Sequence, residues 1–126
     1  MTVEQAIRAA DGMRPNNPYA PETKYRWLRE CDALIRTQVV AKSATGDYEG
    51  AGADYAGEEM GELTELLAPA PYDALYPHYM AGQMDMALGE SDRAANELAQ
   101  YNALLNGFAA WMRQTYMPAK QTKLRY

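Results

Sequence analysis

The sequence has little of what catalytic and metal sites are built from. It contains one histidine, His78, and one cysteine, Cys31, among 126 residues. A pair of metal-binding histidines is therefore impossible, and Cys31 has no partner for an internal disulfide. Phosphate-loop, nucleophile-elbow and calcium-loop patterns are also missing. We expect no catalytic residue, no metal and no cofactor; an enzyme whose site forms only between subunits is the remaining catalytic alternative.

A long apolar run is lacking as well. No window approaches the roughly 20 residues that a membrane-spanning helix needs, and the first residues lack the basic and apolar regions of a secretory leader. We therefore expect no membrane contact and a cytoplasm-like compartment.

Cys31 lies on the apolar side of a predicted helix, and His78 lies on a tyrosine-rich one, so both are expected to be buried or partly buried structural residues.

Val, Ile and Phe are scarce, whereas Ala, Leu, Met and Tyr are common, and this balance favours helix packing over sheets. The length suits one domain. We predict an all-α fold: a small bundle of about four helices over residues 1–117. A long loop rich in Gly and acidic residues, at 43–62, separates the second and third helices, and a basic, extended C-terminal arm occupies 118–126.

The predicted helices have recognisable ends. Thr2 followed by Gln5 is a capping-box pattern. Pro21 suits a first helical position, and Gly89 suits a helix stop. These signals predict helices over about residues 2–12, 21–41, 73–88 and 91–116, with a short extended piece at 63–67.

The second helix is amphipathic. At 100° per residue its predicted core arc consists of Trp27, Leu28, Cys31, Leu34, Ile35, Gln38 and Val39. Arg26, Arg29 and Arg36 share the opposite arc. Glu22 and Asp32 each precede one of these arginines by four residues, so the stripe is explained either by ion pairs along the helix surface or by a partner-binding face.

Positive charge is absent from residues 43–92, which hold eleven Asp and Glu and no Lys or Arg. Residues 1–42 hold seven basic and five acidic residues, and residues 93–126 hold five and one. This segregation is typical of a solvated acidic face, and it also suits subunits that meet head to tail.

The fourth predicted helix lacks charge on the side away from its core face. That side consists of Ala99, Ala103, Asn106, Gly107, Ala110 and Gln114. A water-facing side normally carries Lys and Glu, so we expect another backbone to pack upon it. The third helix is also nearly uncharged. We predict a homo-oligomer, with its interface on the α-helical residues Ala99, Ala103, Asn106, Gly107 and Ala110 and on Arg26, Arg29 and Arg36; the alternative is a monomer with an Ala-rich exposed face.

One segment is recognisable. Residues 64–76 (Thr-Glu-Leu-Leu-Ala-Pro-Ala-Pro-Tyr-Asp-Ala-Leu-Tyr), followed by Tyr79-Met80, Met84-Asp85 and Gly89-Glu90, resemble head-to-tail adaptor proteins of long-tailed bacteriophages and prophages. The opening Thr-Val-Glu-Gln-Ala and the segment at 22–28 are similar too. The sequence departs from that pattern in the Gly-rich stretch at 46–61 and after Arg93.

The resemblance implies a structural virion protein at the neck, assembled in the cytoplasm of a bacterial host. Such adaptors form a ring, commonly a dodecamer, that docks on the portal protein above and meets a stopper or tail-completion protein below. DNA passes through the ring without sequence-specific binding. We expect some of the carboxylates at 47–92 to line or rim the channel, with the candidates Asp47, Glu49, Asp54, Glu58, Glu59 and Glu62.

The basic arm is the expected docking element for the portal. Its apolar anchors would be Leu124 and Tyr126, and Lys120, Lys123 and Arg125 would contact acidic partner surface. A tail that stays disordered is the alternative. For the whole chain, the alternative function is that of a small helical regulatory or scaffolding protein that binds a single cellular partner and forms no ring.

Overall fold

The structure is a computed structural model that describes residues 1–40, 61 and 63–115. These residues form α1 (Val3–Met13), α2 (Pro21–Ile35), α3 (Leu75–Ala87) and α4 (Ser91–Thr115). A π-helical turn (Arg36–Val40) continues α2, and a 3-10 turn (Tyr72–Ala74) leads into α3. The predicted all-α bundle is confirmed. The predicted loop at 43–62, apart from residue 61, and the arm at 118–126 lie outside the described residues.

The helix ends follow the sequence signals. The Thr2 hydroxyl accepts a hydrogen bond from the Gln5 amide at 3.2 Å, and the Gln5 side chain accepts one from the Thr2 amide at 2.9 Å, which completes the capping box. Gly89 follows α3 with φ +78°, a left-handed conformation that favours glycine. The segment predicted to be extended pairs with the start of the chain through a β-bridge between Thr2 and Glu65.

α3 is the central helix, with α1, α2 and α4 all packed against it. Its residues Leu75, Tyr76 and Met80 are fully buried. Gly82 allows α4 to approach closely, since a Cβ at this position would lie 3.0 Å from Leu98 Cδ2. The low charge of α3 is therefore explained within one chain and gives no support to the predicted self-association.

Most of the predicted α2 core arc is buried, namely Trp27, Leu28, Cys31, Ile35 and Val39, and the differences lie at its edges. Asp32, expected on the surface beside Arg36, is fully buried, whereas Leu34, expected in the core, is 40% exposed. Gln38 is exposed as well. In the π-helical turn that follows, Val40 is buried beside the predicted core residue Val39.

A buried hydrogen-bond network joins α2, α3 and the segment before α3. The Tyr76 hydroxyl donates to Asp32 Oδ1 at 2.6 Å and accepts from the Ala68 amide at 2.8 Å. The Leu67 amide donates to the same Asp32 oxygen at 3.3 Å. Burial, together with the nearby Asp32 charge, raises the pKa of Tyr76 well above its ordinary value. The network explains how the core accommodates a carboxylate that the helical pattern assigned to the surface.

Candidate subunit interface

One side of α4 is exposed and uncharged. Tyr101, Phe108 and Met112 are buried on the side that faces the bundle. The opposite side carries Ala99, Ala103 and Asn106, all three of them exposed, which we call the α4 strip. No Asp, Glu, Lys or Arg lies between Glu97 and Arg113. The single chain therefore leaves about two turns of small, neutral side chains facing solvent, as predicted for these three residues.

The other two α4 residues assigned to the interface, Gly107 and Ala110, are less exposed to solvent than the α4 strip. Ala110 is half-buried. Gly107 lies against the Tyr72 ring. A Cβ added at Gly107 would be only 3.2 Å from Tyr72 Cε1, so glycine's lack of a side chain allows the close contact. The Tyr72 ring also packs on Phe108 and Trp111, with ring centroids 6.0 and 6.3 Å apart. The small size of Gly107 thus serves a contact inside the chain.

The arginine stripe predicted on α2 is reduced to two exposed residues. Arg26 and Arg29 are exposed, and the Arg26 Nε lies 3.5 Å from the Glu30 carboxylate one turn later. An exposed pair at this distance contributes at most a few tenths of a kcal/mol. Arg36 lies in the π-helical turn and is half-buried, so it does not continue the exposed stripe.

The structure adds a groove that the sequence did not predict. It has a volume of about 440 Å³ and lies along the C-terminal half of α2 beside one residue of α3. Its lining residues, which we call the α2–α3 groove, are Glu30, Ala33, Leu34, Thr37, Gln38 and Tyr79. Leu34 was assigned to the core because it falls on the apolar arc drawn at 100° per residue. Its position at the edge of the apolar arc was the available signal.

A charged cluster lies where α1, α3 and α4 meet. Arg14 donates from Nε and one terminal nitrogen to the two oxygens of Asp85, at 2.9 and 2.7 Å, and it lies 3.3 Å from the Glu97 carboxylate. The Glu97 carboxylate also lies 2.8 Å from His78 Nδ1. The hydrogen bonds from Arg14 hold the pKa of Asp85 below its ordinary value. The Glu97 carboxylate is therefore paired within the chain. It does not place a charge on the α4 strip.

The thiol of Cys31 is buried, as predicted, and burial raises its pKa well above the ordinary value. Tyr79 and Tyr101 pack beside it with ring centroids 5.2 Å apart. Burial also raises the pKa of Tyr79 to about 12. These three groups are protonated near neutral pH, which suits a packing role at the meeting of α2, α3 and α4.

Several predicted residues lie outside the described part of the chain. They are the docking residues Lys120, Lys123, Leu124, Arg125 and Tyr126 and the channel candidates Asp47, Glu49, Asp54, Glu58, Glu59 and Glu62. Within residues 1–40, 61 and 63–115, no three His, Cys, Asp or Glu side chains are grouped as metal ligands require. In the same ranges no helix has the length and apolar character to cross a membrane.

Comparisons with protein-family models, with curated proteins and with solved structures found no match to this chain.

Proposed function

We propose that this chain is a structural virion protein, a head-to-tail adaptor that forms a ring on the portal and joins the capsid to the tail or stopper. The observation that carries the proposal is the α4 strip, an exposed helix side without charge in an otherwise well-packed bundle. The sequence resemblance supplies the class of assembly. The proposal assigns the chain no catalytic role and no cofactor.

The α4 strip supports self-association for a physical reason. Ala99 and Ala103 have side chains of one carbon, so a helix packed over them can approach more closely than it could over longer side chains. Ala, Asn and the neighbouring Gln100 carry no charge that must be desolvated when the side is covered. Such a side loses little on leaving water, which is what a subunit contact requires.

The remaining parts of the proposal concern the channel, the arm and the location. Some of the acidic residues from Asp47 to Asp92 would line or rim a channel, because fixed negative charge repels the phosphates of passing DNA. The arm at 118–126 would dock on the portal, and a stopper or tail-completion protein would bind below. Assembly would take place in the bacterial cytoplasm and the product would be part of the virion neck.

Electron microscopy tests the proposal directly. The purified protein is imaged by negative stain, alone and with a portal protein from the same phage or prophage genome. We expect rings, with twelve-fold symmetry as the leading expectation, stacked coaxially on the portal. Particles that remain monomeric under both conditions would reject the adaptor and favour the alternative of a helical protein with a single cellular partner.

Deletion of residues 118–126 provides a second test of the same proposal. We expect the truncated chain to keep the helical circular dichroism spectrum of the full chain and to lose binding to the portal. The full-length protein carrying an unrelated nine-residue neutral tail at the same position is the matched control. Undiminished portal binding by the truncated chain would refute the role assigned to the arm.

A further inference from the structure

The α2–α3 groove is a recess of suitable character for a helix. Its exposed wall consists of Ala33, Leu34, Thr37 and Gln38, and Glu30 at one end is its single charged lining residue. Leu34 is 40% exposed there, although leucine stabilises a fold most when it is fully buried. A contact that covers this wall would remove apolar surface from water without desolvating a row of charges.

The α4 strip matches this groove in length and character. From Ala99 to Asn106 a helix rises about 10 Å, and from Glu30 to Gln38 it rises about 12 Å. The strip is convex because it is the outer side of one helix, whereas the groove is concave. The strip and the groove share no residue, so two copies can join strip to groove in succession.

The charges beside the two surfaces also match in register. Asp92 lies seven residues before Ala99 on α4, and Arg26 lies seven residues before Ala33 on α2. All four residues are exposed. With the two helices parallel and Ala99 beside Ala33, Asp92 of one copy comes beside Arg26 of the next, about 10 Å from the alanine contact in each helix.

The neighbouring positions in this register avoid repulsion. Four residues after the Arg26–Asp92 pair, Glu30 of α2 is opposite Asn96 of α4. No pair of like charges is brought together in this stretch, and one pair of opposite charges is. Complementary charge at the rim fixes register and partner orientation more than it adds affinity.

From this match we infer that the α2–α3 groove of one copy receives the α4 strip of the next copy, with the two helices parallel. The occupant is a second copy of this chain. The contact is heterologous, so its repetition closes a ring or extends a filament according to the rotation between copies. The inference rests on the proposed ring and specifies which two surfaces build it.

Mixing two blocked variants tests the contact. Leu34→Glu places a charge in the groove and leaves the strip intact; Ala103→Glu does the reverse, and glutamate is well tolerated at an exposed helix position. We expect the wild type to form assemblies of several chains, each variant alone to stay at the 14.1 kDa of one chain, and an equimolar mixture to give a species of twice that mass and nothing larger. Mass photometry or light scattering measures this.

Matched controls separate the contact from any effect of an added charge. Leu63→Glu and Ala20→Glu repeat the two substitution types, Leu to Glu and Ala to Glu, at exposed positions outside both surfaces. Both variants are expected to assemble like the wild type. A charge exchange adds an independent readout. Arg26→Glu and Asp92→Arg should each weaken assembly about tenfold, and the double variant should recover to within about threefold of the wild type.

The outcomes distinguish this inference from the adaptor proposal. The inference is overturned if either blocked variant assembles like the wild type, if the mixture stays monomeric, or if the wild type is monomeric at about millimolar concentration. Rings on the portal that persist in both blocked variants would overturn the strip-in-groove contact while leaving the adaptor proposal standing. A wild type that neither self-associates nor forms a ring with the portal would reject both.

Discussion

Replacing Tyr76 by Phe removes one oxygen from the buried network that joins α2 to α3. The hydroxyl donates at 2.6 Å to Asp32 and accepts at 2.8 Å from the Ala68 amide, and both side chains are fully buried. A hydrogen bond to a charged group contributes about 1.5–3 kcal/mol, and a buried amide left without an acceptor costs about 1–3 kcal/mol. These two effects share one atom and do not add fully, so we expect a loss of about 3 kcal/mol of unfolding free energy.

Urea denaturation followed by circular dichroism measures this loss. For a chain of this size, about 3 kcal/mol corresponds to a fall in Tm of roughly 12 °C. Tyr19→Phe is the comparison, because the Tyr19 hydroxyl is half-buried and donates to a neutral carbonyl, that of Met84, at 3.3 Å. That variant should lose less than about 1 kcal/mol. Equal losses in the two variants, or a loss below about 0.5 kcal/mol for Tyr76→Phe, would refute the weight given to the network.

Alkaline pH provides a second readout of the same substitution. Because the pKa of Tyr76 is raised in the folded state, the unfolded chain releases the Tyr76 proton first, above about pH 10. The stability from this group is therefore present below pH 10 and is lost as pH rises, by about 1.4 kcal/mol per pH unit. In a plot of unfolding free energy against pH, Tyr76→Phe should make the decline above about pH 10, the alkaline limb, shallower by that amount. Parallel alkaline limbs in the two proteins would contradict the assigned shift.

Three further outcomes follow from the charged cluster and the buried thiol. Because Arg14 holds the pKa of Asp85 low, the stability that Asp85 contributes is present above about pH 4 and is lost as pH falls. Asp85→Asn should therefore be less stable than the wild type at neutral pH. In urea titrations its unfolding free energy should also fall less steeply with decreasing pH. Arg14→Lys, which loses the paired donation to Asp85, should lower the unfolding free energy by about 1–2 kcal/mol in the same assay, and an unchanged midpoint would contradict this. Cys31 should react with a thiol reagent at least about 100-fold more slowly in native protein than in guanidinium, and comparable rates would contradict its burial.

The helices were predictable from local signals. The capping box at Thr2, the proline at position 21 and the glycine at position 89 act within one turn of the chain, so neighbouring residues are sufficient to place the helix ends. The predicted boundaries agree with those of α1, α3 and α4 to within a few residues. These are the features that depend least on which other helices are nearby.

The orientation of α2 was predicted less well, because it depends on distant residues. Periodicity assigned Asp32 to the surface, but Tyr76 and the amides of Leu67 and Ala68 form a polar site for it inside the bundle. Tyr76 lies 44 residues away in sequence, so no local pattern indicates the pairing. With Asp32 inward, Leu34 moves to the edge of the core and becomes part of the α2–α3 groove.

Low charge on a helix has two possible physical causes, packing within the chain or a contact between subunits, and α3 and α4 differ in how much of it the single chain explains. α3 has α1, α2 and α4 packed against it within the chain, so most of its uncharged surface is covered, and Met86 near its end is exposed. α4 packs on the bundle through its buried and partly buried residues and leaves Ala99, Ala103 and Asn106 exposed. Composition alone does not distinguish the two helices, whereas the solvent exposure of their side chains does. The case for a subunit contact therefore rests on α4, and a charge at Ala103 is the smallest change that should abolish it.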